Sequence, residues 1–195
     1  MRIPIAALIL GSQATAALKP WEISALRTFS PSGRPDSSPW SFINLTITDR
    51  NTYAATAPPP DASAPGTAAT CFVQWPYAGD AYGREVNCTT TTTTATTHLS
   101  SSPPSGWTFT MLPTPGSAYA SPLNDFMLRF TLTLKLAGAE ERYEGSARFA
   151  LGPGQNLQGI CSASGVCAFA LRDEAVPVLV VQTRVAGGLL GQYGK

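Results

Sequence analysis

The chain has 195 residues, of which 44% are hydrophobic and only 13% are charged, and its formal net charge at pH 7 is +1. A nearly neutral, weakly charged surface lacks the basic footprint of proteins that bind nucleic acid or anionic membranes, so neither partner is expected. The length fits one domain, and the apolar fraction is sufficient for a sizeable core.

Residues 1–17 are typical of a secretory signal peptide. Arg2 precedes a short apolar run, and small residues follow at the expected cleavage site. The apolar run is far shorter than the roughly 20 residues of a membrane span, and an ordinary apolar N-terminus is the alternative. Cleavage would remove Arg2 and none of the 12 acidic side chains, so the predicted mature domain, residues 18–195, has no net charge.

Four cysteines in an exported chain suggest two disulfides. Three pairings are possible, and closeness in sequence favours Cys71 with Cys88 and Cys161 with Cys167. The alternative, a zinc site, has the wrong spacings for paired zinc knuckles and requires reduced thiols.

The strongest structural signal is the strict alternation in residues 126–136. The apolar set is Phe126, Leu128, Phe130, Leu132, Leu134 and Leu136, and polar or longer side chains occupy the positions between them. Only a β-strand has this period of two. At about 3.4 Å per residue the strand is about 35 Å long, so we expect it to bend or to cross between sheet layers.

Shorter alternating segments predict the other strands, at 21–26, 40–48, 70–77, 107–111, 143–151, 166–171 and 178–185. A turn at 137–140 would make a hairpin of the central strand and 143–151. Low-complexity segments at about 54–69 and 89–106 predict loops. About eight or more strands without a convincing helix indicate an all-β fold, a single antiparallel barrel or sandwich.

Two sequons predict glycoprotein character. Asn44 lies on the polar face of its strand, and Asn87 is followed by Cys88, whose disulfide would compete with modification. The threonine tract from Thr89 is either O-glycosylated or an insertion without a role.

No catalytic residue, metal ligand or cofactor site is predicted. The single histidine, His98, lies in the threonine tract, which argues against catalysis through a held base. Glu140–Glu141 in a turn and Asp173–Glu174 between strands are adjacent carboxylates, which usually are solvated. Residues 152–154 form a turn rather than a phosphate-binding loop. A carboxylate pair from separate elements stays open.

Four tryptophans, Trp21, Trp40, Trp75 and Trp107, each lie on a predicted strand. They are expected in the core, and a platform for a sugar or another flat ligand is the alternative.

Taken in order, these features resemble the secreted fungal β-barrel family named for the major Alternaria allergen. The likeness rests on the signal peptide, Trp21-Glu22-Ile23-Ser24, the segment 40–48, Cys71 and Cys88, Trp107-Thr108-Phe109, the hairpin 126–151, Cys161 and Cys167, and an apolar last strand. It covers nearly all of the mature chain apart from loops.

The resemblance implies a compact antiparallel β fold with the two disulfides named above and no enzyme activity. It implies an effector-like, elicitor-like or allergen-like protein that binds a host plant protein or a small ligand. The two low-complexity segments look like insertions. No cysteine precedes Cys71, so the covalent dimer of some family members is not expected, whereas a non-covalent homodimer stays open. The other function considered is a carbohydrate-binding or structural cell-wall protein with a glycosylated threonine loop.

Overall fold

The computed structural model describes residues 17–54, 63–64, 67–91, 106–136 and 139–185. The signal peptide, His98 and most of both low-complexity segments lie outside them. Within the described residues every strand pair is antiparallel, and the helical structure is one 3-10 turn, Asp173–Ala175. The described part contains no helix long and apolar enough to span a membrane.

In chain order the strands are β1 (Trp21–Ser30), β2 (Trp40–Thr48), β3 (Tyr53–Ala54), β4 (Ser63–Ala64), β5 (Ala68–Pro76), β6 (Glu85–Asn87), β7 (Thr89–Thr91), β8 (Gly106–Pro113), β9 (Asp125–Leu136), β10 (Ala139–Ala150), β11 (Leu157–Cys161), β12 (Cys167–Leu171), β13 (Val178–Val180) and β14 (Gln182–Val185).

The strands form two main sheets. A seven-stranded sheet has the order β11-β12-β1-β2-β5-β7, with β13 beside the first residues of β1, and a five-stranded sheet has the order β14-β10-β9-β8-β6. Strands β3 and β4 form a separate pair. The prediction of an all-β antiparallel fold is therefore confirmed.

Two short segments each contribute to both sheets. In residues 85–91, β6 pairs with β8 of the five-stranded sheet and β7 pairs with β5 of the seven-stranded sheet, with only Cys88 between them. In residues 178–185, β13 pairs with β1 and β14 with β10, with Val181 between them. We call these segments the Cys88 corner and the Val181 corner. They join the two sheets in the way that corner strands do in orthogonal β-sandwiches.

The core lies between the inner faces of the two sheets. Phe126, Leu128, Phe130, Leu132 and Leu134 of β9 are at most 1% exposed, as their alternation predicts. Fully burying one such side chain is worth about 1.5–3 kcal/mol. Because five of them share one register, a slip by one residue would be very costly.

The central strand does not cross between layers. All twelve residues of β9 pair with β10 in one sheet, and the change of sheet is made by the two corners instead. The predicted hairpin is confirmed, but the turn at 137–140 is too long, because Ala139 and Glu140 already belong to β10. Leu151 makes only an isolated bridge and is 40% exposed.

Both low-complexity segments contain strand residues at their ends. Thr89–Thr91 forms β7 although it has no apolar face, since its backbone pairs with β5 directly beyond the bonded Cys88. At the other segment β5 begins at Ala68, and Ala69 is fully buried. A loop was expected at both places, because composition does not show which backbone groups find a partner.

Candidate binding surface at the end of the seven-stranded sheet

The four cysteines are bonded as predicted. Cys71 joins Cys88 with an S–S distance of 1.95 Å, and Cys161 joins Cys167 at 2.01 Å. Since every sulfur is bonded to another, the zinc alternative is excluded. Among the described residues no group of three or more His, Cys, Asp or Glu side chains could hold a metal ion.

In the Glu140–Glu141 pair, Glu140 is exposed but Glu141 is not solvated. Glu141 lies on β10 and is 4% exposed, because it accepts hydrogen bonds from the Tyr143 hydroxyl at 2.7 Å and from Arg184 at 2.8 Å. The expectation of a solvated turn is therefore wrong at Glu141. Asp173 and Glu174 lie on the exposed 3-10 turn between strands, as expected.

The structure brings a second carboxylate, Asp49, towards the same end of the core. The Tyr53 and Tyr143 rings lie 4.7 Å apart, and Tyr53 donates a hydrogen bond to Gln182 of β14 at 3.1 Å. Burial, followed by the neighbouring Asp49, raises the pKa of Tyr53, and burial together with Glu141 raises that of Tyr143. Both carboxylates are almost fully buried, so we interpret this group as a structural link at the Val181 corner.

Three of the four tryptophans belong to the core, and one does not. Trp21 and Trp107 meet edge to face at 4.7 Å, and Trp75 is 2% exposed. Trp40, the first residue of β2, is 42% exposed. Hence a tryptophan platform is limited to Trp40.

Phenylalanines extend over the outer face of the seven-stranded sheet. Phe29 of β1 lies opposite Phe42 of β2, with their rings stacked at 5.3 Å, and the ring of Phe72 of β5 follows at 5.8 Å. We call these three side chains the outer stripe. Phe72 is 49% exposed, and Phe29 and Phe42 are half-buried.

A cleft of about 260 Å³ opens at one end of this sheet. Its lining comprises Gly33, Arg34, Ser37, Ser38, Pro39, Pro76 and Tyr77. Trp40 directly follows this lining and lies opposite Pro76 in the β2–β5 register. The two exposed aromatic side chains next to the cleft are therefore Trp40 and Tyr77, which is 47% exposed.

Hydrogen bonds to backbone carbonyl groups hold the cleft in shape. The Tyr77 amide donates to the Pro39 carbonyl at 2.7 Å, and the Ser37 hydroxyl donates to the Arg34 carbonyl at 2.7 Å. Gly33 has φ of 70° and lies against the Tyr77 ring so closely that any Cβ there would overlap the ring. The cleft thus has the Tyr77 ring and the charged Arg34 side chain in its lining, and the exposed Trp40 follows the lining residue Pro39 in the chain.

The two sequons lie in different surroundings. Asn44 is exposed on β2, opposite Phe72, on the same face as the outer stripe. Asn87 is exposed on β6, directly before the bonded Cys88 and opposite Thr108.

Sequence reasoning missed Phe29, Phe42, Phe72 and Tyr77. A signal was present in β2, where Trp40 and Phe42 share the face of Asn44 and make that face partly aromatic. The cleft itself has no sequence signal, since it forms where the loop after β1 meets the end of β5.

Comparisons with protein-family models, with curated proteins and with solved structures find no match for this chain.

Proposed function

We propose that this chain is an exported, non-enzymatic binding protein, effector-like or allergen-like, that takes its ligand at the cleft between Trp40 and Tyr77. The observation that carries the proposal is an exposed aromatic ring, Tyr77, in the lining of a polar cleft, with the exposed Trp40 next in the chain to the lining residue Pro39. Exposed aromatic residues near hydrogen-bonding groups are typical of recognition sites.

Two further observations support export and this class of function. Disulfides such as Cys71–Cys88 and Cys161–Cys167 form and persist in oxidising compartments outside the cytosol. The antiparallel fold with these two bonds agrees with the expectation drawn from the resemblance to the fungal allergen family.

The chemistry of the cleft suggests what the ligand presents. A flat ring can stack against Trp40 or Tyr77, and an anionic or hydrogen-bond-accepting group can meet Arg34 and the serine hydroxyls. A host protein loop with an aromatic side chain, or a small ring compound with an acidic group, has these properties. Because hydrogen bonds already fix the shape of the cleft, ordering its loops on binding should cost little conformational entropy.

A pull-down from plant extract with the mature protein, residues 18–195, tests the proposal. We expect specific partners with the native protein and their loss with the double variant Trp40→Ala/Tyr77→Ala. Both side chains are exposed, so the fold should be preserved, which circular dichroism checks. The matched control is Tyr119→Ala, because Tyr119 is 87% exposed in the β8–β9 connection, away from this cleft. Equal capture by the double variant and by the native protein would contradict the assigned site.

The exposed Trp40 also favours a second candidate, a carbohydrate-binding protein of the cell wall. In that case the mature protein is retained on chitin or glucan, and Trp40→Ala alone abolishes retention. Free passage of the native protein through both polymers would exclude this candidate and leave the first unaffected.

A further inference from the structure

The Asn44 sequon lies within the outer stripe. In register, Asn44 is opposite Phe72 on β5 and opposite Arg27 on β1. Phe42 precedes Asn44 by two residues, and Thr46 follows it by two, so all three project from the same face of β2. The Asn44 side-chain nitrogen, to which a glycan would be attached, therefore has Phe72 and Phe42 as neighbours on this face.

Among the described residues nothing covers the stripe. Phe72 leaves 49% of its surface exposed in the middle of a sheet face, and Ile160, which lies opposite Ala168 in the row that leads to Phe29, leaves 76% exposed. Apolar groups collected on an outer sheet face mark an interaction surface. Its occupant has to tolerate the polar neighbours Asn44 and Arg27.

A sugar attached to Asn44 meets these requirements. Side chains directly opposite each other on a sheet have Cβ atoms about 4.5–5.5 Å apart, and positions two apart along a strand are about 6.5–7 Å apart. The first sugar on Asn44 is thus within reach of both Phe72 and Phe42. One face of N-acetylglucosamine consists mainly of C–H groups, which are attracted to the negative face of an aromatic ring.

We propose that an N-linked glycan on Asn44 lies over the outer stripe, with its first N-acetylglucosamine packed against Phe72 and Phe42. The glycan is then part of the folded structure and covers this sheet face. The proposal does not depend on the ligand of the Trp40–Tyr77 cleft, and neither test decides the other.

The second sequon gives a matched comparison. The neighbours of Asn87 on its face are Glu85 and Thr108, which are hydrogen-bonded to each other at 2.8 Å. In the part of the chain that the structure describes, no aromatic side chain lies opposite Asn87, so we expect a glycan there to extend into solvent. Removing it should leave the folded state unchanged.

The experiment uses the full chain exported by a eukaryotic host. Mass spectrometry measures occupancy at Asn44 and Asn87, and thermal unfolding is followed before and after trimming. An endoglycosidase that leaves the first sugar should not change the Tm. An amidase that removes the whole glycan should lower it by about 2–4 °C, the shift that 1 kcal/mol gives in a domain of this size.

Variants then assign the effect to the stripe. Thr46→Val abolishes the Asn44 sequon while keeping a β-branched side chain, and should give the same decrease as the amidase. Thr89→Val, which abolishes the other sequon, should give none. In a Phe72→Ala background the decrease on deglycosylation should disappear.

Several results would overturn the proposal. One is an unoccupied Asn44 in the exported protein. A second is an occupied Asn44 whose complete deglycosylation leaves the Tm unchanged, and a third is an undiminished decrease in Phe72→Ala. Concentration-dependent dimerisation of the glycosylated protein that Phe72→Asp abolishes would assign the stripe to a second copy of the chain instead.

Discussion

The Cys88 corner and the Val181 corner make the same change of sheet by different means. At the first, Cys88 is covalently bonded to the fully buried Cys71, and its amide donates to the Trp107 carbonyl at 2.9 Å. At the second, Val181 is 76% exposed, while its neighbours Val180 and Gln182 are buried. One corner depends on a covalent bond, and the other depends on close packing.

The packed corner requires a glycine beneath it. A Cβ on Gly145 would lie 2.8 Å from both Val180 Cγ1 and the Val181 carbonyl oxygen. At the Cys88 corner the disulfide joins the chain to β5 directly before β7 begins. The disulfide therefore fixes the position of the chain at this corner, as close packing does at the Val181 corner. We therefore expect the Cys88 corner to be sensitive to loss of its disulfide and the Val181 corner to be sensitive to added side-chain volume.

Removing the Cys71–Cys88 bond should have the largest effect. On the chain-entropy model, a bond between residues 17 apart stabilises the fold by about 3 kcal/mol. We expect the double variant Cys71→Ala/Cys88→Ala to lose about this much, or roughly 6–12 °C in Tm. Denaturant unfolding monitored by tryptophan fluorescence measures it, and a loss below about 1 kcal/mol would show that packing alone holds this corner.

Adding a methyl group at the Val181 corner should rank second. Gly145→Ala forces its Cβ against a backbone carbonyl that cannot move without disturbing β13 or β14, and such overpacking costs about 1–3 kcal/mol. The matched control is Gly106→Ala, because a Cβ on this strand glycine meets nothing within 4 Å. If both alanine variants unfold at the same denaturant concentration, the packing account of this corner is wrong.

Removing the Cys161–Cys167 bond tests whether the stabilisation that a disulfide gives depends on its position in the fold. It lies on the β11–β12 hairpin at the sheet edge, away from both corners, and joins residues only 6 apart. We expect Cys161→Ser/Cys167→Ser to cost at most about 2 kcal/mol, less than the Cys71–Cys88 pair. An equal or greater loss, measured in the same unfolding experiment, would mean that the corner position adds nothing.

Sequence alternation could predict most strands but not how they associate. The period of two in β9 shows which side chains are buried, and it does not show which strand lies beside it or which segment changes sheet. The apolar residues are continuous in Val178-Leu179-Val180-Val181. The sequence therefore gives no sign that the strand is interrupted at Val181, between β13 and β14. Glu141 was expected in solvent because its partner Arg184 is 43 residues away.

The candidate sites were less predictable than the fold. Four cysteines allow three pairings, and closeness in sequence selected the pairing that is observed. The cleft depends on Tyr77 meeting Gly33 across 44 positions of sequence, and only the folded chain brings them together. The stripe was missed because Phe42 and Phe72 occupy faces that alternation assigns to polar residues.

The smallest effect should be a pH dependence that arises in part at the Val181 corner. Tyr143 lies two residues before Gly145, and Tyr53 donates a hydrogen bond to Gln182, so both tyrosines belong to this corner. Their pKa values are raised in the folded protein, which favours the neutral phenol there. This contribution to stability is fully present below about pH 10, the ordinary tyrosine value, and is lost as the pH rises from there towards the folded-state pKa.

We therefore expect the free energy of unfolding to fall above pH 10, with tyrosinate absorbance at 295 nm from these two residues appearing only as the protein unfolds. In Tyr53→Phe/Tyr143→Phe the corner keeps its aromatic packing and loses two ionisable groups, so the fall should be shallower. The variant is expected to be less stable than the native protein at pH 7, because the bonds to Gln182 and Glu141 are gone. The difference in free energy of unfolding between the native protein and the variant should then narrow as the pH rises. A difference that stays constant up to pH 11 would show that ionisation of these two tyrosines does not affect the stability of the Val181 corner.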